Sequence, residues 1–155
     1  MIKIIDGDLL ESGADIICHQ VNCQGKMNSG VAKQIREKYP EVFEEYMRLC
    51  KISNSESLLG HAQYVPVGVG KPSIYNLFAQ YNYGYDGAQY TDINALRESL
   101  ERVYKTVKAI GINLRVAIPY KIGCVRGGAD WNKVYSMIEE IFTDIDVELW
   151  RLDKG

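Results

Sequence analysis

The chain has 155 residues, of which 46% are hydrophobic, 25% charged and 10% aromatic, values typical of one compact domain with a single core. This composition excludes disordered, collagenous and coiled-coil classes of protein. Eighteen Lys and Arg stand against 20 Asp and Glu, and a formal charge of −2 argues against a protein that wraps nucleic acid or an anionic membrane. We therefore expect no membrane association and no stable nucleic-acid binding.

The N-terminal region argues against export. No apolar run approaches the roughly 20 residues that a bilayer requires. Asp6, Asp8 and Glu11 occupy the region where a signal peptide carries its apolar segment. The sequence therefore predicts a cytoplasmic protein.

The cysteines and glycine motifs point away from metals and cofactors. The chain has no C-x-x-C pair and only two histidines, so we expect free thiols and no metal site. The segment 68–73 resembles a phosphate loop, but Val65 stands where that motif needs its first glycine, and no G-x-G-x-x-G fingerprint is present. We expect no cofactor. The four cysteines are Cys18, Cys23, Cys50 and Cys124.

The first third of the chain predicts two strands followed by two helices. Met1–Ile5 alternates weakly, and Ala14–Val21 is apolar enough to be a central strand. Cys18, beside His19 in the second strand, is predicted to be a core residue. Apolar positions recur at helical spacing from Val31, and Pro40 is expected to separate a helix ending near residue 38 from one that it starts itself.

The middle of the chain predicts a hairpin and a loop. The two short strands Ala62–Val67 and Ser73–Ala79 are joined by a glycine- and proline-containing turn at 68–72. The following segment 81–90 is rich in Tyr, Gly and Asn and has no Lys or Arg. It predicts a loop with some exposed aromatic side chains.

The last part predicts two more helices and two more strands. A helix begins at about Asp92, and Gly111 is suitably placed to end it. A strand at Asn113–Ile118 follows, Asp130 is a suitable N-cap for a final helix, and Asp146–Leu152 is the last predicted strand.

The alternation of strands and helices predicts a layered α/β domain with a largely parallel sheet and helices on both faces. Ligands of such sheets bind at the carboxyl ends of the strands. The loops at 6–10, 22–31 and 120–130 are therefore the candidate ligand loops.

Two of these loops are rich in glycine and lead from a strand into a helix. Asn22–Val31 contains two glycines, and Gly123–Asp130 contains three. Backbone N–H groups at a helix start favour an anion, and glycine permits close approach of a phosphate. Each can be an ordinary connection, but together two such loops can hold both ends of a diphosphate.

The order and spacing of short motifs along the chain resemble those of the macrodomains, which bind ADP-ribose. The likeness extends to the subgroup of ADP-ribose 1″-phosphate phosphatases of yeast, phage and bacteria. The motifs are Gly7-Asp8-Leu9, His19-Gln20-Val21-Asn22, Asn28-Ser29-Gly30-Val31-Ala32, Leu58-Leu59-Gly60, Asn76-Leu77-Phe78-Ala79-Gln80, Ile118 to Cys124, and Trp131.

This resemblance implies one three-layer α/β/α macrodomain over residues 1–155, with a mixed, largely parallel sheet. Its ligand would be ADP-ribose, a derivative, or an ADP-ribosylated macromolecule. Asp8 would bind the adenine amine and Asn22 the distal ribose, while the glycine loops would bind the diphosphate; a cap and an Asx turn are the alternative roles of Asp8 and Asn22. The implied ligand-binding residues are Asp8, Leu9, Asn22, Asn28, Ser29, Gly30, Val31, Gly123, Cys124, Val125, Arg126, Gly127 and Gly128.

The resemblance also implies that His19 is the catalytic residue of a phosphatase. A histidine can act as a base or nucleophile at neutral pH, although a structural histidine bonded to a backbone carbonyl is the alternative. His19 and Asn22 are three residues apart and face opposite sides of a regular strand. Deacylating relatives use a Lys and Asp pair. At the positions where we expect that pair, this chain has Gln80 and Gly127.

Three functions remain open at this point. The favoured one is hydrolysis of the terminal phosphate of ADP-ribose 1″-phosphate. The others are ADP-ribose binding without turnover, and hydrolysis of an acyl or nucleoside adduct of ADP-ribose.

Overall fold

A computed structural model describes residues 1–152 as a six-stranded mixed sheet between two layers of helices. The spatial order is β1-β6-β5-β2-β4-β3, with parallel pairing throughout except for the antiparallel edge pair β3 and β4. The expected three-layer, largely parallel architecture is confirmed for these residues. The strands are β1 (Ile2–Asp6), β2 (Ile16–Asn22), β3 (Ala62–Pro66), β4 (Ser73–Gln80), β5 (Val116–Pro119) and β6 (Val147–Arg151).

The helices divide between the two faces of the sheet. One core cluster joins the sheet to Ile35, Val42 and Tyr46 of α1 and α2, and the other joins it to Leu96 of α4 and Ile138 of α5. The helices are α1 (Gly30–Lys38), α2 (Pro40–Ile52), α3 (Ser55–Leu58), α4 (Ile93–Ile110) and α5 (Trp131–Ile141), with a short 3₁₀ helix at Leu9–Glu11.

Local capping signals predicted the helix ends well. Pro40 begins α2 with Tyr39 alone between it and the end of α1, and Gly111 follows the last residue of α4. The side chain of Asp130 accepts a hydrogen bond from the backbone N–H of Asn132 and so caps α5. The 3₁₀ helix and α3 were not predicted, because a single turn is too short to show a hydrophobic period.

Two predicted strands begin too early. The N–H of Ala14 bonds to the Ser12 hydroxyl at 3.2 Å, which keeps it in a turn before β2. The N–H of Arg115 bonds to the Asp15 carboxylate at 2.8 Å. These backbone donors are satisfied by side chains, so β2 starts at Ile16 and β5 at Val116, two and three residues later than predicted.

The sheet brings three carboxyl ends to the same edge. β2 lies between β5 and β4 and is parallel to both, so Asn22, Gln80 and Pro119 end neighbouring strands on one side of the domain. The turn and loop that follow β5 and the loop before α1 start from this edge. It is the position at which ligands bind in sheets of this kind.

No described helix is long and apolar enough to span a membrane. Within residues 1–152, no cluster of three or more His, Cys, Asp and Glu side chains could hold a metal ion. Residues 153–155 of the predicted domain lie outside the described part.

Candidate functional site

A cavity of about 300 Å³ lies at the carboxyl edge of the sheet. The ends of β2, β4 and β5 form part of it, and the loop before α1 and the glycine-rich loop after β5 complete it. Ten of the predicted site residues line it together: His19, Asn22, Asn28, Ser29, Gly30, Val31, Gly123, Val125, Arg126 and Gly127.

The start of α1 gives one wall of the cavity. Gly30, Val31 and Ala32 form the first turn of the helix and line the cavity. Ser29 is the N-cap residue, but its side chain makes no capping hydrogen bond. Because the first N–H groups of a helix have no partners within the helix, this wall is suited to an anion.

The glycine-rich loop after β5 gives the opposite wall and is held by Thr91. The Thr91 hydroxyl donates to the carbonyl of Gly123 at 2.7 Å, and the N–H groups of Tyr90 and Thr91 donate to the carbonyl of Gly127 at 2.8 and 3.0 Å. Gly123 has φ +74°, and a Cβ there would lie 2.8 Å from Gln20 Oε1. A side chain at residue 123 would therefore be strained and would push against Gln20 and Thr91.

Loss of the Thr91 hydroxyl should destabilise this wall. Thr91→Val keeps the shape of a residue that is 3% exposed but removes two hydrogen bonds, the one to the Gly123 carbonyl and the one from Gln20 Nε2. We expect urea denaturation to show a loss of about 1–3 kcal/mol in the free energy of unfolding, since each of the two hydrogen bonds contributes about 0.5–1.5 kcal/mol. Thr143→Val, at an exposed position, is the control and should change little. Equal stabilities for the two variants would show that this hydrogen bond does not hold the loop.

Three segments meet at the mouth of the cavity. The guanidinium of Arg126 lies 4.7 Å from the centre of the Tyr85 ring, and the Tyr85 hydroxyl lies 3.4 Å from Ser29 Oγ. The predicted exposure of aromatic side chains in this loop is confirmed, since Tyr81, Tyr83 and Tyr85 are 40% to 62% exposed. Tyr85 thus joins both glycine loops across the opening.

The charged side chains of the cavity are all cationic. Lys26, Lys121 and Arg126 line it, and no Asp or Glu is among its lining residues in the described chain. A cavity with this lining favours an anionic ligand over a neutral or cationic one.

His19 lies in the cavity wall with its ring almost fully buried. It is 1% exposed, and its Nε2 lies 2.5 Å from Asn76 Oδ1 on β4. Burial lowers the pKa of His19 to about 4, while the hydrogen bond to Asn76 acts in the opposite direction. The imidazole is therefore neutral at pH 7. Its partner is a side-chain amide and not the backbone carbonyl expected of a structural histidine.

His19 and Asn22 line the same cavity, and the pairing of β2 with β4 is irregular next to Asn22. Val21 pairs with Phe78, but Asn22 pairs with Gln80, so the ladder between β2 and β4 is irregular between residues 21 and 22. The extra residue, Ala79, belongs to β4, so it changes the register of the two strands but not the alternation of side chains along β2. Both residues line the cavity although their spacing on a regular strand would separate them.

The side chain of Asn22 is occupied by its own loop. Its Oδ1 accepts from the N–H of Gln24 at 2.9 Å, and its Nδ2 donates to the carbonyl of Lys26 at 2.9 Å. The Tyr46 hydroxyl also lies 2.9 Å from this Oδ1. The Asx turn considered from the sequence is present, and the contact of Asn22 with a ribose stays a prediction.

Four predicted site residues are not in the cavity lining: Asp8, Leu9, Cys124 and Gly128. Asp8 caps the 3₁₀ helix, with its Oδ1 accepting from the N–H of Leu10 at 2.9 Å. Burial raises the pKa of the Cys124 thiol to about 11, so this thiol is a poor nucleophile at neutral pH. Ligand contacts of these four residues stay predictions.

The structure adds residues that sequence reasoning did not select. Gln20 and Gln80 line the cavity and bond to each other, Nε2 to Oε1, at 2.7 Å, and Gln20 Nε2 also donates to Thr91 Oγ1 at 2.8 Å. The tyrosine-rich composition of 81–90 was a usable signal for Tyr83 and Tyr85. Lys26 and Lys121 lie within the candidate loops 22–31 and 120–130, but no sequence signal distinguished them from the other residues there.

Comparison with known proteins agrees with this geometry. The family model described as Macro domain matches residues 18–138. A DNA ADP-ribosyl glycohydrolase of Mycobacterium tuberculosis is 30% identical over 155 residues, which cover 97% of this chain but 42% of the relative. An ADP-ribose 1″-phosphate phosphatase of Saccharomyces cerevisiae is 22% identical, with 97% of this chain and 98% of the relative covered.

A solved structure shows the same fold over the whole length. The macrodomain of Mycobacterium tuberculosis DarG superposes with a TM-score of 0.81 and is 29% identical, and the match covers 99% of each chain. The family match spans well over half of the chain and includes the strand ends and loops that form the cavity. The chain therefore belongs to the macro domain family.

Proposed function

We propose that the protein binds ADP-ribose in this cavity and hydrolyses the terminal phosphate of ADP-ribose 1″-phosphate. The observation that carries the proposal is the pairing of the α1 start with the glycine-rich loop across a cavity whose charged lining residues, within positions 1–152, are all cationic. A diphosphate fits between two sets of backbone N–H groups. Lys26, Lys121 and Arg126 add charge that favours a further terminal phosphate.

A second candidate activity is removal of ADP-ribose from DNA. The mycobacterial relative with that name is similar over nearly the whole of this chain, although the chain spans 42% of its length. Against this candidate, Gln80 and Gly127 stand where we expected the Lys and Asp pair of the deacylating relatives, and Gln80 is engaged with Gln20. Because residue 80 is a glutamine and not a lysine, phosphate hydrolysis is the favoured reaction.

One comparison of substrates separates these activities. Phosphate release from ADP-ribose 1″-phosphate and ADP-ribose release from an ADP-ribosylated oligodeoxynucleotide are measured side by side, with calorimetry of ADP-ribose as the binding reference. We expect phosphate release to be faster. Release from the oligodeoxynucleotide alone would replace the phosphatase by a glycohydrolase, and tight binding without either release would make the protein a binding module.

The adenine contact of Asp8 can be separated from its capping role. We expect Asp8→Ala to weaken ADP-ribose binding by about 1.5–3 kcal/mol through loss of a hydrogen bond to a charged group. It should also lower stability by about 0.5–2 kcal/mol, because the N–H of Leu10 loses its acceptor. Asp8→Asn keeps a capping oxygen and removes the charge, so it should lose affinity with little loss of stability. Unchanged dissociation constants in both variants, measured by calorimetry, would leave Asp8 as a cap only.

A further inference from the structure

A row of amide side chains connects His19 to helix α2 across three strands. His19 and Asn76 are register partners of β2 and β4, and Asn76 and Gln63 are register partners of β4 and β3. The His19 Nε2 lies 2.5 Å from Asn76 Oδ1, and Asn76 Nδ2 donates to Gln63 Oε1 at 3.0 Å. Gln63 Nε2 donates in turn to the Glu45 backbone carbonyl in α2 at 3.0 Å.

The backbone carbonyl at the end of this row sets the direction of every bond. A carbonyl only accepts, so Gln63 must present Nε2 to Glu45 and Oε1 to Asn76. Asn76 must then present Nδ2 to Gln63 and Oδ1 to His19. Since Oδ1 also only accepts, the proton of a neutral His19 ring lies on Nε2, and Nδ1 carries a lone pair.

The opposite nitrogen of the ring has no partner. His19 Nδ1 is one of two buried side-chain polar atoms without a hydrogen bond in the described residues, and His19 is one of the residues that line the cavity. A buried polar atom of this kind usually has a partner in the functional state. The partner must be a donor.

We infer that Asn76 and Gln63 are positioning residues that hold His19 as the Nε2–H tautomer, so that the cavity takes an O–H donor against Nδ1. This inference rests on the proposed function for the identity of the ligand. The donor is a hydroxyl of the distal ribose or a water molecule. A fully ionised phosphate has only acceptor atoms, so it cannot donate a hydrogen bond to this nitrogen. It interacts instead with the cationic side chains of the cavity.

The tautomer can be measured in the free protein. The chain has only two histidines, so nitrogen-15 NMR of histidine-labelled protein gives two ring systems, and His61→Gln assigns them. At pH 7 we expect His19 to be neutral with its proton on Nε2. A proton on Nδ1, or a doubly protonated ring, would overturn the inference whether or not ADP-ribose binds.

Variants of the row test the positioning role. Gln63→Leu frees the Asn76 amide to turn, so the Nδ1–H tautomer should become populated, and Asn76→Leu should release the ring in the same way. Turnover should fall about 10- to 100-fold with little change in KM, the scale for residues that orient a functional histidine from behind. Gln34→Leu, an exposed amide on α1, is the control and should leave both the spectrum and turnover unchanged. An unaltered tautomer in folded Gln63→Leu and Asn76→Leu would contradict the role of the row.

Two ligands identify the donor. A change in the His19 Nδ1 signal with ADP-ribose but not with ADP, which lacks the distal ribose, assigns the donor to a ribose hydroxyl. If the His19 Nδ1 signal changes with neither bound ligand and His19→Ala loses turnover, the donor is a water molecule. No change and full turnover in His19→Ala would overturn the acceptor role of Nδ1. Failure of ADP-ribose to bind would reject the proposed function and leave the tautomer measurement to stand by itself.

Discussion

Gly30→Glu is expected to abolish ADP-ribose binding while the protein stays folded. Gly30 is the first residue of α1 and lines the cavity, and a Cβ built on it meets no atom within 4 Å. A glutamate there would place a carboxylate in the proposed diphosphate site. Two like charges about 4 Å apart near a protein surface repel by about 4 kcal/mol, which corresponds to a loss of roughly a thousandfold in affinity.

Two control variants separate charge from backbone strain. Gly30 has φ +61°, so Gly30→Ala carries the strain of a side chain in the left-handed region without the charge. Gly70 also has positive φ, +75°, with open space around it, in the turn between β3 and β4. Gly70→Glu should therefore bind ADP-ribose normally. Retained affinity in folded Gly30→Glu, measured by calorimetry beside thermal melting, would show that the α1 start does not hold the ligand.

His19→Ala is expected to lower phosphate release from ADP-ribose 1″-phosphate by about 100-fold or more, the usual scale for a group that takes part in proton transfer. Binding of ADP-ribose should change by less than about tenfold, because one neutral hydrogen bond contributes about 0.5–1.5 kcal/mol. The adenine and diphosphate contacts are assigned to other residues and remain in this variant. Phosphate release and calorimetry are measured on the same preparations.

The second histidine is the matched control. His61 is half-buried beside the Phe78 ring at the start of β3, and it does not line the cavity. His61→Ala should release phosphate at the rate of the unmodified protein. Equal rates for His19→Ala would place the chemistry on another residue. Absence of release from all three proteins, with tight ADP-ribose binding, would make the protein a binding module with a structural His19.

The sequence predicted the elements of this fold because their signals are local. The proline at residue 40, the cap at Asp130 and the glycine at 111 each act on their own turn of helix. The apolar β2 was correctly predicted to be buried and central. The order and spacing of the motifs indicated the family for the same reason, because both are properties of the linear sequence.

The position of the two glycine loops was also accessible from sequence. Each follows a strand and opens a helix, and parallel strands place their carboxyl ends on one edge. Ten of the residues that the resemblance implied line the cavity at this edge. Sequence reasoning could not decide which side chains are free for a ligand, because Asn22 and Asp8 also have partners in their own loops.

Contacts between distant segments were decided only by the tertiary structure. Thr91 bonds to Gly123 and Gln20 across separations of 32 and 71 residues, and the partner of His19 lies 57 residues away. Such pairs depend on strand order and register, which no local pattern specifies. The irregularity between Val21 and Asn22 arises in the same way, from the pairing of β2 with β4. The sequence by itself determined the family, the helix ends and the position of the two glycine loops, whereas the burial of His19 and the tautomer that we infer for it follow from three strands lying side by side.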